Sequence, residues 1–534
     1  MAAEPQAHRP AEGGGRSAFS PLKRPAFAVL WVATILGNTG TFMRDVASGW
    51  LVTELSAAPS AVAMIQVAGT LPVFLLAIPA GVLTDIVDRR RLLVGVQILL
   101  GGVSAALMFC ALTGALTVGL LIGLTFLGGI GAALMGPAWQ SIVPELVPKP
   151  DLRNAVALNS LGFNIARAIG PAVGGALLVA FGAATTYGAD VASYAVVIAA
   201  LLWWRRPAAA EDGLREEFGG AFRAGLRYAR ASAELRLVLL RAALFFLCAS
   251  VVWALLPLVA RQLLGGDAGF YGLLLAAVGA GAILGAVLLP RLRKKLDTDG
   301  VMLCAALGAA AVTALLAAGP PQALAVVLLL ALGAAWIAAL TTLNGTAQAI
   351  LPNWVRGRGL AIYLMVFNGA SALGSLAWGL VAELAGLRGT LLIGAAMLAA
   401  VALLARRLAL PAGEADLTPS SHWPEPALAE PVAHDRGPVT VTIEYRVRAA
   451  DRAAFLAAIG RLAPERRRDG AFFWVVSEDA ADPERLVEIF MVESWAEHLR
   501  QHRRVSQADA DLQAEVVRFH AGPEKPVVTH LLGV

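Results

Sequence analysis

Charged side chains within long apolar segments are the residues of this sequence best placed to do chemistry. Arg44 and Asp45 lie in the first apolar segment, and Arg167 lies 15 residues after Leu152 in the fifth. At about 1.5 Å per helical residue, Arg167 reaches the middle of a bilayer, where a charge costs roughly 3 kcal/mol. Asp45 is a candidate to carry a proton or to pair with Arg167. Structural roles stay open: an Arg167 hydrogen-bonded to its neighbours, and an Arg44–Asp45 pair that faces water.

The composition places these charges in a membrane protein. Of 534 residues, 58% are hydrophobic and 15% are charged, whereas soluble proteins average about 25% charged residues. Twelve apolar runs approach the roughly 20 residues that a spanning helix needs. Six lie within 23–204 and six within 237–408, around a charged cytoplasmic loop at 205–236. Residues 1–22 have the composition of a disordered tail, without a removable signal peptide.

The turn after the second apolar run has a degenerate copy in the second half of the chain. Gly81 and the arginines 89–91 correspond to Gly285 and the basic residues 293–295, at an offset of 204. Two six-helix halves repeated in parallel are a transporter architecture in which the substrate binds where the halves meet. The copy carries Leu289 where the first turn carries Asp85.

Lysine and arginine cluster at one end of the predicted helices, which places that end in the cytoplasm. The cluster comprises Lys23, Arg24, Arg89 to Arg91, Lys149, Arg153, Arg291 to Lys295, Arg356, Arg358, Arg406 and Arg407. The net charge of +5 then reflects anchoring at the lipid bilayer, and no nucleic-acid partner is expected. Both termini are expected in the cytoplasm, in a multi-pass protein of a bacterial plasma or inner membrane.

The chain changes character after Leu408. Residues 409–438 are rich in Pro, Glu and Ala and have no periodicity, as in a linker. Between 439 and 534, strand and helix patterns follow the order β-α-β-β-α-β, which predicts a cytoplasmic ferredoxin-like α+β domain. The predicted fold class is therefore an all-α membrane protein of twelve transmembrane helices in two six-helix repeats, followed by this domain.

The first basic turn resembles the signature G-x-x-x-D-(R/K)-x-G-(R/K)-(R/K) of the major facilitator superfamily. Gly81, Asp85, Arg89 and Arg90 match the pattern, whereas positions 86 and 88 depart from it. The resemblance implies the major facilitator fold, and a latch in which the Asp and Arg hold the helices in one transport state. The alternative is that the arginines only set the topology.

Two further motifs resemble the drug–proton antiporters of that superfamily. Gly170, Pro171, Gly174 and Gly175 match the element G-P-x-x-G-G, which is associated with export. Ordinary packing of a Gly-rich helix is the alternative. Residues 125–133 resemble the proton-coupling pattern R-x-x-Q-G-x-G-A-A in their last five positions, but Thr125 stands in place of its Arg.

Helices 1, 7 and 10 line the substrate cavity in the superfamily, and here each carries polar or aromatic residues at mid-helix depth. These residues are Asn38, Thr41, Trp253, Trp336, Thr341 and Asn344. Sparse polar groups in an apolar cavity suit an amphiphilic or lipophilic substrate. For each of the six, packing within the bundle is an equal alternative.

The C-terminal region resembles the small dimeric α+β domains of the antibiotic-biosynthesis-monooxygenase type. Its run 495–502 looks like their helix W-x-x-H-x-x-x-H. The resemblance implies that this domain can form a homodimer, and the combination resembles the enterobactin-exporter-like branch of the superfamily. His498 and His502 lie one turn apart, but without a third ligand no metal site is predicted. The three cysteines lie inside apolar runs and predict no disulfide.

These features predict a secondary active transporter rather than an enzyme, with no cofactor. By resemblance it is a proton-coupled exporter of a small amphiphilic or lipophilic molecule, of the drug or siderophore type, that works by alternating access. No Gly-rich loop with a phosphate-binding Lys is present, so ATP drive is not expected. Two alternatives place the function in the C-terminal domain: a membrane-tethered monooxygenase-like enzyme, or a ligand-sensing module.

Overall fold

The computed structural model describes residues 17–205, 218–411, 416–418, 420, 423 and 430–533. Within these ranges it leaves out the side chains at positions 78, 82, 84–86, 218–224 and 503. The latch candidate Asp85 is one of these, so its contacts lie outside the description.

Ten helices among the described residues are long and apolar enough to cross a membrane. They are α1 Pro25–Leu55, α2 Pro59–Ile86, α3 Arg89–Thr113, α4 Val118–Leu146, α5 Leu152–Trp203, α7 Ala233–Leu258, α8 Ala268–Arg293, α9 Thr298–Ala317, α10 Gln322–Ala349 and α11 Arg356–Ala405. A shorter helix, α6 Phe218–Ala231, precedes α7. Side-chain caps start several of the long helices: Asp88 accepts a hydrogen bond from Arg91 N, and Asp267 from Phe270 N.

The two longest helices, α5 and α11, each reverse direction at a glycine. Gly182 (φ 79°, ψ 177°) and Gly386 (φ 69°, ψ 169°) adopt a conformation that is essentially restricted to glycine. Before Gly182, α5 runs parallel to α1, and after it α5 runs antiparallel. The contacts that show this are Gly162 with Ile35, Gly170 with Phe42, Gly40 with Ser193 and Gly37 with Val197.

The reversal of α11 is visible from its contacts with α7. Trp378, before Gly386, donates a hydrogen bond from Nε1 to Leu247 O at 2.8 Å. Gly394, after Gly386, packs against Val251, one helical turn from Leu247. Both arms of α11 therefore lie side by side on α7.

The two halves of the helical region meet along α2 with α11 and along α5 with α8. A Cβ added at Gly175 would lie 3.1 Å from Gly272 Cα, and one added at Gly379 would lie 3.1 Å from Ser60 Cα. Such small residues let helix backbones approach closely. Because both contacts lie near the starts of α2 and α8, they are at the end of the bundle opposite to Arg89–Arg91 and 291–295. We call these two ends the opposite end and the basic end.

The C-terminal residues form a four-stranded antiparallel sheet in the order β2-β3-β1-β4. Its elements are β1 Val439–Arg446, α12 Arg452–Asp469, β2 Phe473–Asp479, β3 Asp482–Val492, α13 Trp495–Arg504, α14 Gln507–Val517 and β4 Val527–Leu532. The central strand β1 alternates buried and partly exposed residues. The buried positions, among them Val441 and Tyr445, form the core with Phe455 and Ile459 of α12.

This C-terminal domain rests on α6 and on the loop between α10 and α11. Arg227 Nη2 of α6 lies 2.7 Å from Glu497 Oε1 of α13. The guanidinium of Arg504 lies 4.5 Å from the ring centre of Trp354, in the loop at the basic end. An ion pair and a cation–π contact therefore join the sheet domain to the helical region.

Candidate substrate cavity

A cavity of about 380 Å³ lies between the two halves. Its walls come from α1, α2, α4 and α5 on one side and from α7, α8, α10 and α11 on the other. Of the lining residues that the structure describes, Asp45 and Arg167 carry a formal charge, and most others are apolar or aromatic. A mainly apolar cavity with a few convergent polar groups is typical of a small-molecule site.

Arg44 is the centre of a charge network in the cavity wall. Its Nη2 lies 3.3 Å from Asp45 Oδ1, and its Nη1 lies 3.8 Å from Asp190 Oδ2. The side chains of Arg44 and Asp190 are 9% and 0% exposed, whereas that of Asp45 is 54% exposed and lines the cavity. One buried cation is therefore shared by a buried carboxylate and an accessible one.

Asp190 is held in place by neighbouring helices. Ser104 of α3 donates a hydrogen bond to Asp190 Oδ2 at 2.6 Å. The second arm of α5 can approach α1 here because residue 40 is glycine: a Cβ at Gly40 would lie 2.5 Å from Asp190 Oδ1. No sequence pattern indicates this contact, because Arg44 and Asp190 come together only after α5 folds back at Gly182.

Arg167 lines the cavity but does not pair with Asp45. Its guanidinium lies 5.0 Å from the ring centre of Phe163, and it forms no ion pair within the part of the chain that the structure describes. Its backbone carbonyl packs against Gly279 of α8, where an added Cβ would lie 2.8 Å away. Arg167 therefore offers an uncompensated positive charge to the cavity, next to an aromatic ring.

Aromatic rings of the second half form one face of the cavity. The ring centres of Trp336 and Trp253 are 5.2 Å apart, and Trp336 lies 5.2 Å from Phe246. Phe367 lines the cavity beside them. Trp253 and Trp336, which the sequence proposes as cavity residues, are thus both in its wall.

Four other proposed cavity residues do not line this cavity. The Thr41 hydroxyl hydrogen-bonds to the Tyr194 hydroxyl at 2.9 Å. The Thr341 hydroxyl donates to Ile337 O at 2.7 Å. Asn344 Oδ1 accepts a hydrogen bond of 2.5 Å from Gln348 Nε2, and Asn38 is partly exposed elsewhere on α1. The depth of a residue along its helix predicts whether it lies at the level of the cavity. It does not predict whether its side chain is on the face of the helix that lines the cavity.

Several polar lining residues were not predicted from the sequence. They are Ser48, Gln66, Thr70, Thr125, Ser250 and Ser371. Gln66 and Thr70 are four residues apart on α2, so they share one face of an otherwise apolar helix. That spacing is a signal which sequence analysis can use.

The glycines of the α5 element make close helix contacts, and its proline lines the cavity. A Cβ at Gly170 would lie 2.7 Å from Phe42 Cβ, and one at Gly174 would lie 2.7 Å from Met43 Cα. Gly175 packs on α8 of the other half, and Pro171 lines the cavity. The element therefore positions α5 against α1 and α8 at the level of the site.

The basic turn ties α3 to other helices of the first half. Arg89 Nη1 lies 2.8 Å from Glu145 Oε1 of α4. Arg90 donates from Nε to Leu201 O at 2.7 Å and from Nη2 to Leu202 O at 2.6 Å, so it caps the last turn of α5. Gly81 is partly buried in the last part of α2.

Polar contacts between the halves occur at the opposite end. Arg261 Nη1 donates a hydrogen bond to Thr53 Oγ1 at 3.0 Å, and its guanidinium lies 5.7 Å from the Trp50 ring centre. Ser60 of α2 hydrogen-bonds to Glu383 of α11. These contacts hold the halves together beyond the cavity on that side.

Comparison with known sequences identifies the family. The sequence profile of the family described as transmembrane secretion effector matches residues 16–534. The chain belongs to this family of major facilitator transporters. The chain is thus a multi-pass membrane protein, and the family match extends over the C-terminal sheet domain.

Curated relatives of this chain are bacterial transporters. The staphyloferrin A transporter of Staphylococcus aureus is 26% identical over 260 residues, which cover 48% of this chain and 64% of that protein. Macrolide efflux protein A of Streptococcus pyogenes is 24% identical, over 49% of this chain and 65% of that protein. The chain thus spans less than two thirds of these two relatives. The multidrug efflux pump Tap of Mycobacterium tuberculosis is 26% identical over 75% of this chain and 97% of that pump.

Solved structures show the same fold. A bacterial homolog of the human lysosomal transporter Spinster superposes with a TM-score of 0.57 at 17% identity, over 73% of this chain and 98% of that one. The D323A mutant of the nucleoside transporter NupG superposes with a TM-score of 0.60 at 11% identity, over 72% of this chain and 99% of that one. The helical region therefore has the architecture of major facilitator transporters.

The shared cation predicts different stabilities for two carboxylate variants. Asp190→Ala removes the buried partner of Arg44, and loss of one member of a buried pair costs about 3 kcal/mol. Asp45→Ala should destabilise less, because the Asp45 side chain is 54% exposed. Thermal unfolding of the detergent-purified protein measures both, and a midpoint for Asp45→Ala at or below that of Asp190→Ala would contradict the arrangement.

Proposed function

We propose that the chain is a proton-coupled secondary exporter of a small amphiphilic or lipophilic molecule. One observation carries the proposal: the cavity between the halves is mainly apolar and contains an accessible carboxylate, Asp45, in contact with a buried cation. An apolar wall suits a lipophilic body, and the opposite charges of Asp45 and Arg167 suit polar groups at its edge. The names of the relatives describe staphyloferrin A transport, macrolide efflux and multidrug efflux, and the two efflux names support export.

The proposed topology has twelve membrane crossings. Helices α5 and α11 contain 52 and 50 residues, and each reverses at a glycine, so each supplies two crossings. The basic end then lies in the cytoplasm with both termini, since lysine and arginine concentrate on the cytoplasmic side. In this orientation the contacts of Arg261 with Thr53 and of Ser60 with Glu383 close the outer side of the cavity.

Proton coupling is proposed to act through Arg44. A charged Asp45 attracts Arg44, and protonation of Asp45 leaves Asp190 as the charged partner of Arg44. The antiporter pattern places an Arg at position 125, where this chain has Thr. A Cβ at Gly128, three residues further on α4, would lie 3.7 Å from the Arg44 guanidinium carbon. Arg44 thus supplies from α1 a cation near the place that the pattern assigns to an Arg of α4.

The cytoplasmic latch is proposed for Gly81, Asp85, Arg89 and Arg90. The ion pair of Arg89 with Glu145 and the capping of α5 by Arg90 support it, because both contacts anchor the start of α3, and with it the turn that carries the latch, to α4 and α5. The second half carries Leu289 where the first carries Asp85, so the carboxylate acts in the first half.

The C-terminal domain is proposed to be a ferredoxin-like accessory module that forms a homodimer. Its element order β-α-β-β-α-β and its sheet order β2-β3-β1-β4 support this fold. Its ion pair with α6 favours a role in regulating transport over independent enzymatic activity.

Efflux into everted membrane vesicles tests the proposed function, against a panel of siderophores and lipophilic cations. An acid-inside proton gradient should drive accumulation of at least one compound, and an uncoupler should abolish it. Asp45→Asn should reduce this accumulation to the level of vesicles without the transporter, whereas Asp45→Glu, which keeps a titratable group, should retain part of it. Accumulation that persists with the uncoupler, or a normal rate for Asp45→Asn, would contradict proton coupling through Asp45.

The latch is tested in the same vesicles. Asp85→Asn should lower the initial rate of transport by at least about tenfold, which corresponds to about 1.4 kcal/mol. Arg91→Gln is the matched control, because Arg91 is exposed and lies outside the proposed latch. Equal rates for the two variants, at equal amounts of protein in the membrane, would remove Asp85 from the mechanism.

A further inference from the structure

Three histidines of the C-terminal domain converge on one point. His498 and His502 lie one turn apart on α13, and His530 reaches them from β4. The Nε2 atoms of His498 and His502 are 3.2 Å apart, and one ring nitrogen of each of the three lies within 4.8 Å of the others. The sequence shows the pair on the helix, but the third histidine joins it only through the fold of the sheet.

Three buried polar atoms of His498 and Gln501 form no hydrogen bond of normal geometry among the described residues. The His498 side chain is buried, and its Nδ1 forms no hydrogen bond of normal geometry within the described residues. Both polar atoms of the Gln501 side chain, three residues further along α13, are also buried and form no hydrogen bond of normal geometry within the described residues. Buried polar groups of folded proteins are nearly always hydrogen-bonded, so a bound ligand is a natural partner for these atoms.

We propose that His498, His502 and His530 bind a divalent transition-metal ion of the Zn²⁺ class. In a tetrahedral site with Zn–N distances of about 2.0–2.1 Å, two ligand nitrogens lie about 3.3 Å apart. The pair on α13 has that separation, and a small movement of His530 completes three ligands. The fourth position stays open to water or another ligand, as in three-histidine zinc sites.

The second ring nitrogen of His498 is available for an outer-shell hydrogen bond. Nε2 of His498 faces His502, so a metal bound there leaves the proton on Nδ1. Gln501, three residues further along α13, carries a buried side-chain oxygen that forms no hydrogen bond of normal geometry among the described residues. A metal-bound histidine typically donates its other N–H to such an acceptor, which fixes the orientation of the ring.

The surroundings shield the proposed site from water on two sides. The Trp495 ring lies 5.3 Å from that of His498 and 6.2 Å from that of His530. The Trp423 ring lies 5.0 Å from that of His502. Aromatic walls of this kind hold the imidazoles in fixed orientations and exclude competing solvent.

The site lies beside the contact that joins this domain to the helical region. Glu497, which precedes His498, binds Arg227 of α6. Metal binding would therefore fix the helix α13 that carries this ion pair. The three ligands all lie in the C-terminal domain, outside the substrate cavity, so metal binding is independent of the proposed transport function.

Metal binding to the full-length protein tests the proposal. The protein is purified in detergent through a tag without histidine, stripped with a chelator, and titrated with Zn²⁺ by calorimetry. We expect one Zn²⁺ per chain and, with Co²⁺ in its place, the visible absorption of a tetrahedral site. His530→Ala and His502→Ala should weaken binding by roughly 100-fold or more, since even loss of an outer-shell partner costs about 10–100-fold.

The control is His434→Ala, because His434 is exposed and lies outside the cluster. This variant should bind Zn²⁺ like the unmodified protein. Both ligand variants change partly exposed side chains, and their unfolding temperature in chelator should equal that of the stripped unmodified protein. Zn²⁺ should raise the unfolding temperature of the unmodified protein and of His434→Ala, but not that of the ligand variants. Equal affinity in all variants, or binding of less than about one tenth of a Zn²⁺ per chain at saturation, overturns the proposal.

Discussion

A single buried cation shared by two carboxylates organises the substrate cavity. Removing Arg44 and Asp190 from water costs several kcal/mol per ion unless the charges are paired and hydrogen-bonded. Pairing requires α1, α3 and the second arm of α5 to meet, which in turn requires the reversal at Gly182 and the absence of a side chain at Gly40. Asp45 is the member of the network that lines the cavity, so a change in its charge changes the negative charge that surrounds the Arg44 guanidinium.

Glycine contacts explain how the two halves can be close and still separable. Gly175 faces Gly272, and Gly379 faces Ser60, with backbone against backbone and little side chain between them. Such contacts bury no charge, so separation leaves no unpaired ion behind. Polar contacts such as that of Ser60 with Glu383 lie close to these glycines, at the ends of the helices. When the halves separate there, water can replace the lost hydrogen bonds. This pattern suits rigid rotation of two packed bundles about a central site.

The sequence predicts the features that depend on a local pattern, such as the length of a helix. It does not predict contacts between residues that are far apart in the chain. Apolar length predicts the helices, and mid-helix depth predicts the level of Trp253 and Trp336, which both line the cavity. Thr41 is proposed for the cavity from its depth on a helix that lines the cavity in the superfamily, but its hydroxyl hydrogen-bonds to Tyr194. The pairing of Arg44 with Asp190 and the approach of His530 to His498 arise from chain reversal and from strand order, which no local spacing encodes.

Cross-linking the opposite end tests most directly whether the halves must separate there. In a chain without Cys110, Cys248 and Cys304, the substitutions Ser60→Cys and Glu383→Cys place two thiols where the native side chains hydrogen-bond. Oxidation should stop efflux of a compound that the unmodified protein exports, and reduction should restore it. Full efflux from the oxidised, cross-linked protein would contradict the account.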